Sequence, residues 1–260
     1  MKFLLGFLEY ENLELSPANL EYLDSPEKDK LNQFTNRLLK RQFLGGRILA
    51  KSLLSTQLNI EIRNVRIEIH PSGRPISTAT FSLSHSSGLT ACITGEEFLG
   101  LDLERRSQRK HYMSIAKDFF HEQELAQIEF ENKSLQLFYE YWTIKEAYIK
   151  ANNMSVWNLK MVPSAKLSNK PGPKITQGNL NVVTSDYNHS PIEAISYMLS
   201  NEYFLAIASS PAPREIVINP DFPLPERFNL NEAKHYIFDL LQPLSDVKGS
   251  KTSTQSPPNA

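Results

Sequence analysis

The sequence predicts an α/β (α+β) fold made of two similar halves. Three observations carry that prediction. Val65, Ile67 and Ile69 alternate with Arg66, Glu68 and His70, the period-two pattern of a half-buried strand. Apolar residues at helical spacing mark long helices at about 27–58 and 135–151. Residues 81–94 share their rhythm with 195–208: two apolar strands about a short polar turn, each following a long helix. That faint repeat divides the chain into halves of about 1–98 and 99–210.

The elements follow in order. The apolar start, Phe3-Leu4-Leu5-Gly6-Phe7-Leu8, is cut by Glu9 and Glu11 and reads as an opening strand rather than a secretion signal. In the helix at 27–58, Ser25 is the expected N-cap and Pro26 the first helical residue. Gly45-Gly46 marks a break or a close packing point within it. Its polar positions are basic: Arg37, Lys40, Arg41, Arg47 and Lys51. Pro71-Ser72-Gly73 turns the chain after the strand at 65–69. Strands are expected at 81–84 and 89–94, joined through His85-Ser86-Ser87-Gly88, and again at 98–104. Helices are expected at 114–128 and 135–151. Residues 152–178, with Pro163, Pro171 and Pro173, read as a long connection, 181–184 and 195–209 as strands, and 222–225 as an extended linker. A segment 211–244 then reads as an extension carrying an amphipathic helix at 229–241. Residues 245–260, rich in Ser, Thr, Pro and Lys, read as a disordered tail.

Composition narrows the function classes. The 260 residues hold 28 Lys+Arg against 29 Asp+Glu, a net charge of −1, with 40% hydrophobic residues. That is enough apolar material for a core, and no overall basic field invites nucleic acid. A single cysteine, Cys92, excludes an intramolecular disulfide or a cysteine zinc site and suits a reducing cytoplasm. No apolar run approaches the roughly 18 residues that span a bilayer.

Four groups of residues can carry chemistry. Asp102 and Glu104 stand two apart in a strand, so both carboxylates share one face while Leu101 and Leu103 face the core. Two adjacent carboxylates repel unless a cation lies between them, and an oxygen-rich pair suits a hard ion such as Mg²⁺. A pair of solvent-facing edge residues would show the same spacing. Trp142, Glu146 and Lys150 recur every four residues on one helical face, where a Glu/Lys pair is also ordinary helix decoration. The run Ser82-Leu83-Ser84-His85-Ser86 brings hydroxyls and an imidazole to a strand end. It lacks the Gly-x-Ser-x-Gly elbow of a serine nucleophile, so a phosphate contact by His85 is the more economical function. Gly73-Arg74-Pro75 sets a cation beside a rigid proline. Neither a dinucleotide fingerprint nor a P-loop occurs. The basic run 107–112 reads as a solvated loop.

Together, in this order and spacing, the motifs resemble the Sfp-type 4′-phosphopantetheinyl transferases. The resemblance rests on Gly73-Arg74-Pro75, Phe81-Ser82-Leu83-Ser84-His85-Ser86, Gly100-Leu101-Asp102-Leu103-Glu104, Phe119-Phe120 with Glu124, and the run from Trp142 to Lys150. It covers roughly residues 1–210. It implies a monomer of two α/β halves related by a pseudo-twofold axis, with coenzyme A between them. It also implies that the phosphopantetheine arm moves to a serine of an apo acyl or peptidyl carrier protein, releasing adenosine 3′,5′-bisphosphate.

By the same resemblance Asp102, Glu104 and Glu146 are the Mg²⁺ ligands. Arg41, Arg74, Pro75, Ser84, His85, Lys145 and Lys150 contact coenzyme A, with Arg74 replacing a lysine that many members carry. The catalytic set is then Glu146, Lys150 and Asp102. Glu146 takes the serine proton and Lys150 stabilises the leaving phosphate. Another Mg²⁺-dependent phosphoester enzyme, for instance a nuclease, is the competing enzyme class, disfavoured by the balanced charge, and a non-catalytic carrier-protein binder is the competing class outside enzymes, disfavoured by the intact acidic trio. The expected partners are coenzyme A and a carrier protein, with no nucleic acid and no membrane, in the cytoplasm.

Overall fold

Two five-stranded sheets lie face to face in the computed structural model, which describes residues 2–95, 98–130, 134–177, 192–230 and 233–238. In chain order the elements are β1 (Lys2–Glu9), α1 (Pro17–Leu20), α2 (Ser25–Gln33), α3 (Arg37–Leu58), β2 (Glu68–Ile69), β3 (Pro75–Ile76), β4 (Thr80–Ser86), β5 (Leu89–Gly95), β6 (Leu99–Arg105), α4 (Tyr112–Phe119), α5 (Glu122–Phe130), α6 (Ser134–Ala151), β7 (Ala165–Ser168), β8 (Lys174–Gln177), β9 (Glu193–Met198), β10 (Tyr203–Ser209), β11 (Glu215–Ile218) and β12 (Ala233–Phe238). The first sheet has the order β4-β5-β1-β11-β8 and the second β6-β10-β9-β12-β7.

Alternation along the strands builds four layers. Phe3, Leu5 and Phe7 of β1 and Leu89, Ala91 and Ile93 of β5 meet Leu101 and Leu103 of β6 and Leu205 and Ile207 of β10 in the core between the sheets. The alternate residues Leu4, Phe81, Cys92 and Val217 pack outward under Leu49, Leu53 and Leu54 of α3. On the far side Ala194, Phe204, Ala206 and Tyr236 pack under Phe138, Tyr141 and Ala147 of α6. The order is therefore helix, sheet, sheet, helix, and burying both faces of each sheet accounts for the apolar runs in β1, β5 and β10.

The two hairpins that share a rhythm sit differently in their sheets: β4 is an edge strand, whereas β9 lies between β10 and β12. Hairpin β4-β5 pairs through β5 with β1, and hairpin β9-β10 pairs through β10 with β6, all antiparallel. Ser87 (φ 42°) and Gly88 (φ 90°) close the first hairpin as a two-residue turn, so His85 and Ser86 belong to β4 rather than to the turn.

Several expectations need correction. The basic helix of 27–58 is two helices, interrupted at Phe34–Asn36 and not at Gly45-Gly46. Asn36 caps α3 by accepting from the Leu38 and Leu39 amides. The glycines stay helical because they are a packing point: a Cβ on Gly45 would lie 2.9 Å from Leu8 Cδ2. Asp24, not Ser25, is the N-cap of α2, in a reciprocal capping box with Glu27. Only Glu68 and Ile69 of the strand expected at 65–69 join a ladder. Residues 152–178 include a 3₁₀ turn, β7 and β8, strands too short to show a period and recruited by the sheet edges.

Within the helix expected at 229–241, residues 233–238 form the strand β12, set between β9 and β7. Tertiary contacts hold it there: Tyr236 Oη donates to buried Glu140 at 2.7 Å and Lys234 Nζ to the same carboxylate at 2.8 Å. The strand expected at 181–184 and the tail at 245–260 lie outside the described residues.

Candidate active site

The site forms where β6 passes under α6. Gly100, Asp102 and Glu104 occupy alternate positions of β6, opposite in facing to Leu101 and Leu103. Gly100 has no room for a side chain: a Cβ there would stand 1.9 Å from the Ala147 carbonyl oxygen. That close approach lowers the polar stripe of α6, with Trp142, Glu146 and Lys150, onto the two carboxylates.

Lys150 sits at the centre. Its Nζ donates to Asp102 Oδ1 at 2.6 Å, to Ser84 Oγ at 3.1 Å and to the Leu101 carbonyl at 3.1 Å, using all three ammonium protons. The lysine side chain is 30% exposed and that of Asp102 is 3% exposed. Ser84 Oγ also donates to Asp102 Oδ1 at 2.9 Å. Asp102 Oδ2 is buried without a hydrogen-bond partner. A carboxylate oxygen so placed could take part in holding a cation.

Burial, Asp102 and Glu104 push the Glu146 carboxyl up to about 8, against the pull of Lys150. Burial and Asp102 raise the Glu104 carboxyl too, while Arg109, Lys150 and the Trp142 indole pull the other way. Among the described residues no three His, Cys, Asp or Glu side chains are already gathered into a metal-holding cluster. Asp102, Glu104 and Glu146 are nonetheless the oxygen donors that could close on a hard cation: one oxygen without a hydrogen-bond partner and two carboxyls raised above their ordinary range, first of all by burial.

Other expected residues are distributed around this centre. Arg74 Nη1 donates to the Lys150 carbonyl at 3.0 Å, capping the C-terminal end of α6. With Pro75, Phe81, Phe98 and Asn153 it lines a cavity of about 300 Å³, and burial lowers its guanidinium from the usual range. His85 is on the exposed edge of β4, where its Nε2 meets Gln42 Nε2 at 2.9 Å. Those two residues line a cavity of about 230 Å³ that shares Phe43 and Arg47 with a larger one of about 980 Å³ reaching Lys30 and Gly73. Arg41, next to Gln42, donates to the Glu11 carbonyl and is not gathered with the carboxylates.

Lys145 is a correction. It points away from the site into the protein interior, where it is 0% exposed and pairs with Glu124 at 3.0 Å. Glu124 also accepts from the His121 and Ala165 amides, each at 2.9 Å. One step along a helix turns a side chain by about 100°, so Lys145 cannot share the face of Glu146. Its expected ligand contact is replaced by a buried structural pair, which also accounts for Glu124 in the motif.

Gln42 was not singled out in the sequence, Arg109 lay within the run read as a solvated loop, and Gly100, Ser82 and Ser86 stood in quoted motifs without a role of their own. The serines had a legible signal, since they alternate with Phe81 and Leu83 along β4.

Comparison with known proteins fits this geometry. A sequence profile described as the 4′-phosphopantetheinyl transferase superfamily matches residues 98–208, the span that carries Asp102, Glu104, Glu146 and Lys150. The chain is 31% identical over 159 residues to 4′-phosphopantetheinyl transferase HetI of Nostoc sp., covering 57% of this chain and 67% of that protein. It is 26% identical over 206 residues to 4′-phosphopantetheinyl transferase Sfp of Bacillus subtilis, covering 76% and 84%. To the rat L-aminoadipate-semialdehyde dehydrogenase-phosphopantetheinyl transferase it is 27% identical over 143 residues, covering 48% and 46%.

Proposed function

The chain belongs to the 4′-phosphopantetheinyl transferase superfamily, and from that premise we propose that it moves the 4′-phosphopantetheine arm of coenzyme A onto a serine of an apo acyl or peptidyl carrier protein, releasing adenosine 3′,5′-bisphosphate. The observation that carries this reading is the junction of β6 and α6, where Lys150 bonds Asp102 and Ser84 beside Glu104 and Glu146.

Asp102, Glu104 and Glu146 would hold Mg²⁺, and the bare Asp102 Oδ2 fits that role. When bound, the ion supplies charge neutralisation at the pyrophosphate of coenzyme A. The remaining work falls to the chain. The linked cavities of about 230 and 980 Å³ offer His85, Gln42, Arg47 and Lys30 to a phosphorylated nucleotide, and Arg74 with Pro75 forms a rim beside Gly73. Glu146 takes the proton from the carrier serine as its oxygen bonds to the β-phosphorus that bears the arm. The phosphorus–oxygen bond to the nucleotide 5′-phosphate breaks. Lys150 stabilises the charge arriving on that leaving phosphate. Phosphoryl chemistry of this kind asks the protein mainly for positioning and electrostatics.

The test incubates the protein with coenzyme A, Mg²⁺ and an apo carrier domain and weighs the carrier by mass spectrometry. Addition of one phosphopantetheine arm is expected, and its absence with several carrier classes would overturn the reading. Glu146→Gln is expected to lower the rate by about 10²- to 10⁴-fold, the usual loss of a general base, while coenzyme A still binds. A cytoplasmic, monomeric enzyme is part of the same proposal. No helix among the described residues is long and apolar enough to cross a membrane.

A further inference from the structure

Strands β4 and β6 are edge strands of different sheets, and they run side by side with side-chain hydroxyls between them. Ser82, Ser84 and Ser86 are the register partners of Ile93, Ala91 and Leu89 on β5, so they share the face turned to the second sheet. Phe81 and Leu83 turn the other way, toward α3.

Each hydroxyl meets β6 at a defined place. Ser82 Oγ accepts from the Leu101 amide at 2.8 Å. Ser84 Oγ bridges Lys150 and Asp102. Ser86 Oγ accepts from the Arg105 amide at 2.9 Å and donates toward Glu104 Oε2 at 3.4 Å. The Leu101 N–H and C=O both leave the sheet edge, one to Ser82 and the other to Lys150. An edge strand exposes such groups to any passing strand, and burying them unpaired is costly. Apolar residues at these three positions, like those on β5, would satisfy neither amide.

We propose that Ser82 and Ser86 are positioning residues: a hydroxyl seam replaces a backbone ladder between the halves and fixes the register of β6, so that Asp102 and Glu104 meet Lys150 and Glu146 in one arrangement. Ser86 acts on Glu104 directly. Ser82 acts through the Leu101 backbone, one residue before Asp102. The catalytic part of this inference rests on the transferase reading above, whereas the seam itself does not.

The experiment uses the full chain, its Ser82→Ala, Ser86→Ala and Ser86→Thr variants, residue-resolved amide hydrogen exchange, and transfer rates across a Mg²⁺ titration. In the wild type, the Leu101 and Arg105 amides exchange slowly despite their place on an edge strand. Ser82→Ala speeds exchange at Leu101 and Ser86→Ala at Arg105, each locally. Ser86→Ala also lowers kcat/KM on the order of tenfold, as losing a partner of a ligating carboxylate does, and raises the Mg²⁺ needed for half-maximal rate. The KM for coenzyme A stays unchanged, and Ser86→Thr, which keeps the hydroxyl, restores the wild-type values. A merely structural serine would lower Tm without moving the Mg²⁺ requirement. Unchanged exchange at both amides, or a Ser86→Ala enzyme with wild-type rate and Mg²⁺ requirement, overturns the proposal. If Ser82→Ala does not fold, wild-type exchange at Leu101 decides, and fast exchange there overturns it. Slow, serine-dependent exchange in a wild type that loads no carrier upholds the seam and sinks the transferase reading.

Discussion

Gly100→Ala tests whether the approach of α6 to β6 makes the site. The added methyl would stand 1.9 Å from the Ala147 oxygen and 2.6 Å from the Ala151 nitrogen. Both are backbone atoms of α6, so no rotamer change relieves the clash. Restoring ordinary contact at about 3.4 Å requires strand and helix to part by about 1.5 Å. Glu146 and Lys150 flank Ala147 on that helix, and the Lys150–Asp102 contact of 2.6 Å would open past an ion pair. Misplacing reacting groups by about 1 Å can cost about a hundredfold in rate, so the variant should load carrier at least that much more slowly. Overpacking costs about 1–3 kcal/mol, which for a chain of this size lowers Tm by about 2–12 °C. Gly46→Ala is the control. Its Cβ would meet only Leu83 Cδ2, at 3.1 Å, a flexible side chain, and alanine gains helix propensity there, so Tm should hold or rise. Carrier loading by intact mass and Tm by circular dichroism read both variants. A Gly100→Ala protein within twofold of the wild-type rate and 1 °C of its Tm would refute this account of the site.

Three further outcomes are expected. Lys145→Met strands the Glu124 carboxylate in the core, at a cost of about 3–5 kcal/mol, and the protein that remains folded binds coenzyme A normally. Selective loss of coenzyme A binding with Tm intact would return Lys145 to the ligand set. In chelator, the raised Glu146 carboxyl favours the folded state while protonated, so its contribution is full below the ordinary value of 4.5 and is lost as pH rises through about 8. Tm of the metal-free protein should fall across that window, less so in Glu146→Gln, and a flat wild-type profile would contradict the shift. Cys92 is fully buried, and burial raises its thiol far above the reactive range. Thiol reagents should therefore label it only on unfolding, as mass spectrometry of native protein can check.

Much of the site was legible because short-range periodicity places side chains. Two-residue spacing put Asp102 and Glu104 on one face, and four-residue spacing put Trp142, Glu146 and Lys150 on another. Short-range periodicity also sets Phe81 and Leu83 against Ser82, Ser84 and Ser86, of which only Ser84 was given a role. It could not tell Lys145 from its neighbours. An ammonium in a sequence carries no sign of burial, and only the fold brings Glu124 from α5 to meet it.

The C-terminal region shows the same boundary. Residues 233–238 were read as helix because Tyr236 and its neighbours fit an amphipathic pattern over a short window, where helix and strand periods are hard to separate. The strand wins because β9 and β7 offer open edges and Glu140 offers a buried acceptor, none of them near in sequence. β11 likewise pairs with β1 from the opposite end of the chain.

By itself the sequence determined the local matters: which residues alternate, which recur with the helix, and where one family's motifs stand in register. The tertiary structure alone decided which of those faces meet. It set α6 on β6 through a missing side chain at Gly100, laid three serine hydroxyls of β4 against β6, and sent Lys145 inward while Lys150 went to Asp102. Side-chain direction along an element follows from its period, but the distance between two elements depends on every side chain packed between them.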